Sequence, residues 1–488
     1  MASTFLLANY IGGELIAPRD GKYLDVVEPA TGKVYARVPN SSREDVNEAV
    51  ACAQRAFPAW AGLTREERAH YLFKLADAIE DHQNELAEAE SRDTGKPISL
   101  ARRVDIPRAV ANFRYFASAC QHFASEAHDF DGKALNYTLR QPIGVAACIS
   151  PWNLPLYLFT WKLAPALAMG NTVVGKPSEL TPYTAFQLSE LAKEVGFPPG
   201  VLNIIHGYGP ATGSALIEHP DVPIITFTGG TRTGSEIARI AAPQFKKLSL
   251  ELGGKNPALV FADCDFERTV AELVRASFTN QGQVCLCASR ILVEASLYER
   301  FKAAFVAQVQ KLRVGDPNDP DTQFGALVGR EHHQKVAHYL MQAQQEGGVV
   351  LTGGDVPALE GRCEEGYFFL PTVIEGLDQS CKTNQEEIFG PIVTLQPFET
   401  DAQAIELANA VKYGLSATVW SENLRRVQRV ARSLHAGIVW VNCWMVRDLR
   451  TPFGGWKASG VGREGGLEAM RFFTEPKNVC LDEHPDSL

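Results

Sequence analysis

The segment Asn280-Gln281-Gly282-Gln283-Val284-Cys285-Leu286-Cys287 places a thiol just after a glycine turn, between the helical pattern FERTVAELVRASF and the strand-like ILVE. A thiol there can serve as a nucleophile. The glycine lets the backbone approach a substrate, and an N–H beside the sulfur can hold an oxyanion. On residue type alone, a small buried core cysteine is the commoner outcome. Glu251 follows an apolar run and precedes Gly253-Gly254, where it can act as a base, cap a helix or pair with a lysine. Asn153, in Pro151-Trp152-Asn153, offers its amide either to developing charge on a substrate or to its own turn. Lys176 and Glu179 stand at the end of an apolar strand pattern, where a plain surface ion pair is the alternative to a ligand contact. Gly229 and Gly230, in FTGGTRTG, open a helix whose N-terminal dipole suits a pyrophosphate.

These residues need elements to position them. Residues 43 to 91 carry apolar side chains at helical spacing among charges, so amphipathic surface helices are expected first. From Gly144 the texture changes to short apolar runs, GVAACIS, NTVVGK, VLNIIHG, IITFTGG and KLSLELGG, separated by helical stretches. That alternation predicts a parallel sheet covered by helices, with ligands beyond the carboxyl ends of its strands. A second α/β texture runs from NPALVFAD through ILVEASLYERF to LSATVWS and GIVWVNCW, and predicts a second lobe with its own sheet. No linker or repeat separates the two. They are expected to be interwoven, with the functional cleft between them.

Composition narrows the function further. The 488 residues hold 47 basic against 57 acidic side chains, a formal charge of -10, which argues against a broad nucleic-acid-binding surface. No run approaches the ~18 apolar residues of a membrane span, and the start MASTFLLANYIGGEL lacks the pattern of a secretory leader, so a cytoplasmic protein is expected. Ten cysteines without CxxC or Cys/His spacing suggest neither a disulfide framework nor a metal site.

Taken in order, SPWNLP at 150 to 155, KPSE at 176 to 179, LELGGK at 250 to 255, the Cys285 segment, EEIFGP at 386 to 391 and a late PFGG resemble the motifs of the aldehyde dehydrogenase family. The resemblance runs from about residue 8 to residue 480. It implies an α/β fold with a Rossmann-type NAD-binding domain (1–120 and 143–252), an α/β catalytic domain (253–455) and a small β oligomerisation arm (121–142 and 470–488). By the same resemblance Cys285 is the nucleophile, Asn153 and the Cys285 N–H hold the oxyanion, and Glu251 draws a proton from the water that hydrolyses the thioester. Trp152, Lys176, Glu179, Gly209, Gly229, Gly230, Glu387 and Phe389 are implied as cofactor contacts, with Glu387 holding the nicotinamide ribose and Phe389 packing by the ring. A carboxylate at Glu179 would accept from a free ribose 2′-hydroxyl and repel a 2′-phosphate, which favours NAD over NADP. The sequence departs from the family at Gly230, where serine is the commoner residue.

Two arginines bear on the substrate. Arg108 lies in VDIPRAVANFRYF and Arg447 in NCWMVRDLRTPFGG, segments that border the substrate tunnel in the family, and a guanidinium matches a carboxylate in two parallel hydrogen bonds. With SPWNLPLYLFTWK, they resemble the subgroup acting on 2-aminomuconic and 2-hydroxymuconic semialdehydes, which carry an aldehyde at one end and a carboxylate at the other. The 2-amino substrate is the closer match, through KKLSLELGGKNPA and VCLCASR. The alternatives are the 2-hydroxy substrate, a broader or betaine-aldehyde specificity, a CoA-acylating or esterase variant, and a catalytically silent relative. Glu251 argues against a CoA-acylating variant, which needs no water-activating base, and retention of both Cys285 and Glu251 argues against a silent relative. HDFDGKALNYTLRQ and KNVCLDEH resemble the family's swapped β-arm, so a homodimer or homotetramer is expected.

Overall fold

The computed structural model describes residues 5–482. Its centre is an eight-stranded sheet in which Lys247–Glu251, Ile224–Thr228, Val145–Ile149, Thr172–Lys176 and Leu202–Ile204 lie side by side and parallel. These are the apolar runs picked out by pattern. Val145–Ile149, Thr172–Lys176 and Ile224–Thr228 are buried at every residue, as strands covered on both faces must be. The chain winds outward from Val145–Ile149 to Thr172–Lys176 and Leu202–Ile204, then returns to the opposite side at Ile224–Thr228. The switch in direction opens a crevice beyond Ile149 and Thr228. Ser150 to Asn153 enter it from one strand and Gly229-Gly230 from the other.

A seven-stranded sheet forms the second lobe. Thr372–Glu375, Ile392–Phe398, Ala288–Glu294, Asn256–Val260, Ser416–Trp420 and Ile438–Val441 are parallel, and Val349–Thr352 is antiparallel at one edge. The lobes are interwoven as expected, because Gly460–Val461 returns to pair antiparallel with Lys247–Glu251 at the edge of the first sheet. A third, smaller sheet sets Ala134–Pro142 between Ala127–Phe130 and Thr474–Asp482, all antiparallel.

The helical region from residue 43 resolves into Arg43–Gly62, Arg65–Asp81 and Gln83–Thr94, the first two opened by capping boxes on Ser42 and Thr64. Helices do not come first, however. Asn9–Ile11 and Glu14–Ile16 form a hairpin around Gly12 and Gly13, both at positive φ, and Tyr23–Glu28 pairs with Lys33–Pro39. Strands of three residues are too short to show a period of two, and only the Gly-Gly turn marks the hairpin. Helix Pro155–Ala168 is buried at every residue and forms the axis of the largest apolar core, against Ile106–Gln121 and Arg65–Asp81.

Candidate active site

Glu251 ends a first-sheet strand and Asn256 begins a second-sheet strand, so the short segment Leu252 to Lys255 bridges the lobes. Cys285 precedes the amino end of Ala288–Glu294. The carboxyl ends of one sheet therefore face the amino ends of the other across the site. Between them lies a cavity of about 250 Å³ whose walls include Trp152, Asn153, Gly229, Glu251, Cys285 and Phe389. Gly230 and Glu387 also line it. Lys176, Glu179, Gly209, Arg108 and Arg447 do not line this cavity.

The cysteine loop is held by backbone strain and side-chain amides. Asn280, Gln281 and Gly282 are successive residues at positive φ, a conformation that costs roughly 1–3 kcal/mol for each non-glycine. Their surroundings hold them there. Asn280 Nδ2 donates to the Asn153 carbonyl at 2.9 Å, Gln281 Nε2 to the Ala326 carbonyl at 2.8 Å, and Asn256 Nδ2 to the carbonyls of Cys285 and Cys287 at 2.7 and 2.9 Å. Gly282 is required by loop packing. A Cβ there would meet the Gly390 carbonyl oxygen at 2.3 Å, so the glycine lets the cysteine loop lie against the EEIFGP loop.

Asn153 Nδ2 donates to the Gln283 carbonyl at 2.9 Å, which fixes the amide plane and leaves its second hydrogen free of that bond. Among the described residues, no acceptor takes the Cys285 backbone N–H. These are the donors an oxyanion requires. The Cys285 thiol is held well above its ordinary pKa, first by burial and then by the carboxyls of Glu251 and Glu387, with Arg447 opposing them. Cys287, by contrast, is packed in the second-lobe core, its Sγ 3.8 Å from the Thr279 carbonyl.

Glu251 is 2% exposed, and its Oε1 has no hydrogen-bond partner among the described residues. Burial, with a smaller contribution from Glu464, pushes its pKa up to about 8, while Lys162 and Arg447 pull it down. Lys162 and Glu464 form a buried ion pair at 2.6 Å, and Thr226 Oγ1 accepts from Lys162 at 3.1 Å. No local pattern marks Lys162 or Glu464, which are 302 residues apart. A Cβ at Gly253 would meet Glu387 Oε2 at 2.2 Å, so this glycine lets Glu387 close over the bridge, while one at Gly254 would meet Asn256 Oδ1 at 2.7 Å, so that glycine makes room for the amide that holds the cysteine loop. Glu387 Oε1 accepts from the Gly254 N–H at 2.9 Å.

On the opposite wall the Trp152 ring stands edge-on to Phe389, with centroids 5.2 Å apart, and lies 5.0 Å from His332. Phe389 is itself at positive φ. His332 Nε2 bonds the Phe389 carbonyl at 2.7 Å, and burial holds the ring near pKa 4 and hence neutral. Lys335, one turn further on, donates to the Glu387 carbonyl at 3.3 Å. Sequence reasoning missed both. They come from the exposed-looking helix Arg330–Gln345, whose pattern gives no sign that one end roofs a cavity.

Lys176 is 3% exposed, so its 3.3 Å pairing with Glu179 is not the surface ion pair that residue types alone allow. Glu179 Oε1 accepts from the Gly209 N–H at 3.3 Å, which brings these three residues together. Gly229 lies over the Phe227 ring, where a Cβ would come within 2.4 Å. Gly230 is the N-cap of Thr231–Ala241 and makes no side-chain cap.

The two arginines converge on helix Pro155–Ala168. Arg108 lies over the rings of Tyr157 and Trp161, with Cζ 5.4 and 5.8 Å from the centroids, and Arg447 lies 5.5 Å from Trp161 and 4.0 Å from Phe453. Arg447 Nη1 donates to the Tyr157 hydroxyl at 2.9 Å. Nε and Nη2 of Arg108 are buried without a partner among the described residues. Burial lowers the Arg108 pKa, and the charge of Arg447 lowers it further. Arg450 takes no part: it is exposed and bonded to Asp448 at 3.0 Å.

The aldehyde dehydrogenase family model matches residues 16–479, and the chain belongs to this family of oxidoreductases. Its α/β architecture is the fold of that family, since a betaine aldehyde dehydrogenase from Staphylococcus aureus in complex with NAD+ superposes with a TM-score of 0.95. That structure is 37% identical, over 99% of this chain and 96% of the other. Among curated relatives, a 2-aminomuconic semialdehyde dehydrogenase of Danio rerio is 53% identical over 98% of both chains. A 2-hydroxymuconic semialdehyde dehydrogenase of Pseudomonas sp. strain CF600 is 47% identical, covering 97% of this chain and 99% of its own.

Proposed function

We propose that this enzyme oxidises 2-aminomuconic 6-semialdehyde to the dicarboxylate with NAD. The observation that carries the substrate is the pair Arg108 and Arg447. Two cationic groups share the Trp161 ring and both meet Tyr157, one over its ring and the other at its hydroxyl; one has buried unpartnered nitrogens, and the other is near enough to influence Cys285 and Glu251. An unpaired buried cation is costly, and an anionic substrate group relieves that cost. The relatives named for muconic semialdehydes support the same reading, with 2-hydroxymuconic semialdehyde as the second candidate.

The residues present fit a dinucleotide. Gly229 and Gly230 open a helix toward the cavity, Glu179 offers a carboxylate beside Lys176 and Gly209, and Glu387 and Phe389 stand with Trp152 on the opposite wall. When bound, NAD supplies the hydride acceptor. The chain supplies the rest. Cys285 sulfur adds to the aldehyde carbon as the carbonyl π bond breaks toward oxygen, and the proton of the thiol passes to solvent water as the C–S bond forms. The Asn153 amide and the Cys285 N–H hold the charge that develops on oxygen. After the thioester forms on Cys285, Glu251 takes a proton from water, the hydroxide adds, and the acid departs as the thiolate returns.

We assign residues 1–120 and 143–252 to cofactor binding, 253–455 to catalysis, and 121–142 with 470–488 to an arm that joins a cytoplasmic homodimer or homotetramer; residues 1–4 and 483–488 lie outside those described. None of the described helices is long and apolar enough to cross a membrane.

The deciding experiment compares kcat/KM for both semialdehydes and for an uncharged aldehyde in Arg108→Ala and Arg447→Ala. A charge-assisted hydrogen bond contributes about 1.5–3 kcal/mol, so each variant should lose roughly 10- to 100-fold on the semialdehydes and little on the uncharged substrate. Arg450→Ala should behave as the parent. Equal losses on both substrate classes would overturn the carboxylate grip while leaving the aldehyde dehydrogenase chemistry in place.

A further inference from the structure

Next to the main cavity, and sharing Cys285, Glu387 and Phe389 with it, a second cavity of about 20 Å³ lies between the cysteine loop and the EEIFGP loop. Lys255, Ser277 and Ser289 all line it, together with Cys285, Glu387 and Gly390. Lys255 Nζ, Ser277 Oγ and Ser289 Oγ are each buried without a hydrogen-bond partner among the described residues, and Lys255 is 1% exposed. An internal water needs roughly 10–15 Å³ and two to four polar partners, and this cavity offers both. Its walls come from the bridge between the sheets, the end of helix Phe266–Phe278, the cysteine segment, the start of strand Ala288–Glu294, and the loop that carries Glu387.

The charges around Lys255 come from several elements. Arg290, on Ala288–Glu294, donates through Nε to the carbonyl of Lys255 itself at 3.1 Å. Glu387, Cys381 and Lys335 also act on the amine, and a neighbouring cavity of about 10 Å³ brings Tyr413 and His435 to its other side. Burial, and then Arg290, push the amine down to about 7. The Glu387 carboxyl is raised by burial, and is drawn back by the Gly254 N–H, by Lys335 outside and by Lys255 inside.

We propose that Lys255 is a positioning residue for the reaction: through a water in this cavity it ties the cysteine loop to the Glu387 loop and keeps Glu387 ionised toward the cofactor ribose. The inference rests on the assignment of Glu387 to that ribose. Lys255 itself touches neither substrate nor cofactor. Its positive charge favours the carboxylate most where Glu387 would otherwise take up a proton, so its effect belongs to the acid side of the NAD-binding profile.

The test is NAD affinity, measured by calorimetry as a function of pH on the full chain. With Lys255→Met, the pH at which affinity begins to fall on acidification should move upward by roughly one pH unit, the effect of losing one nearby opposite charge. Lys255→Gln keeps a donor for the water and removes the charge. It should show the same shift, and it carries the test if the methionine variant does not fold. In Glu387→Gln the acid limb should vanish, and adding Lys255→Gln should change nothing further. Parent-like profiles in folded Lys255 variants would overturn the proposal, as would a Lys255 effect that persists without Glu387. If Glu387→Gln leaves NAD affinity untouched at every pH, the ribose assignment itself fails, and this inference falls with it.

Discussion

Glu251 concentrates the chemistry of the site in one ionisation. Its carboxyl is raised to about 8 by burial, so near neutral pH the resting side chain is mostly protonated and cannot take a proton from water. The sign follows directly. Base form accumulates as pH rises through about 8, so hydrolysis of the thioester should accelerate over that range and level off above it. Glu251→Gln should abolish the inflection and slow acid release more than acylation, giving a pre-steady-state burst of NADH. A surviving inflection in the glutamine variant would assign the titration to another group. This residue was legible in the sequence through its LELGGK motif, as Cys285 and Asn153 were through theirs. The groups that tune it were not, because Lys162 lies inside a helix that reads as plain core and Glu464 lies 302 residues away.

At the scale of elements, the strands of both sheets were readable because a fully buried strand leaves a continuous apolar run. Contacts between loops left no such trace. The spacing of Gly282 points to substrate approach and gives no sign of its packing against Gly390, and His332 and Lys335 reach the cavity from a helix that reads as exposed. Gly230 is a case in which sequence and structure agree. The helix Thr231–Ala241 begins without a side-chain cap, the φ of Gly230 is -71°, and a Cβ there meets nothing within 4 Å. Serine is therefore compatible with both backbone and space, and its hydroxyl can cap the helix or reach a bound phosphate. Gly230→Ser should raise the melting temperature slightly and tighten NAD roughly 2- to 10-fold, the range of one added hydrogen bond of about 0.5–1.5 kcal/mol. Direct NAD titration checks this, and weaker binding would mean that the glycine is needed for close approach of the cofactor.

For the whole molecule, the question is what the three-stranded arm does with its open edges. In Ala127–Phe130 all four residues are exposed, and Thr474–Asp482 is exposed along most of its length, so backbone groups and apolar side chains face outward together. Unpaired edges of this kind invite pairing with another chain. The register decides which residues act together: Leu481 is opposite Leu135, and Lys477 is opposite Leu139. Because side chains alternate between faces along a strand, Leu135, Leu139 and Leu481 share one face, on which Leu139 is 40% and Leu481 49% exposed. A chain with a formal charge of -10 repels its own copies at long range, so association must rest on local complementarity such as this face. The native protein should therefore run as a dimer or tetramer by light scattering, and Leu139→Asp combined with Leu481→Asp should lower that mass. No residue of the arm lines the main cavity, so NAD binding should survive in the dissociated protein. A monomeric native protein, or an unchanged mass in the double variant, would reject this face as the contact.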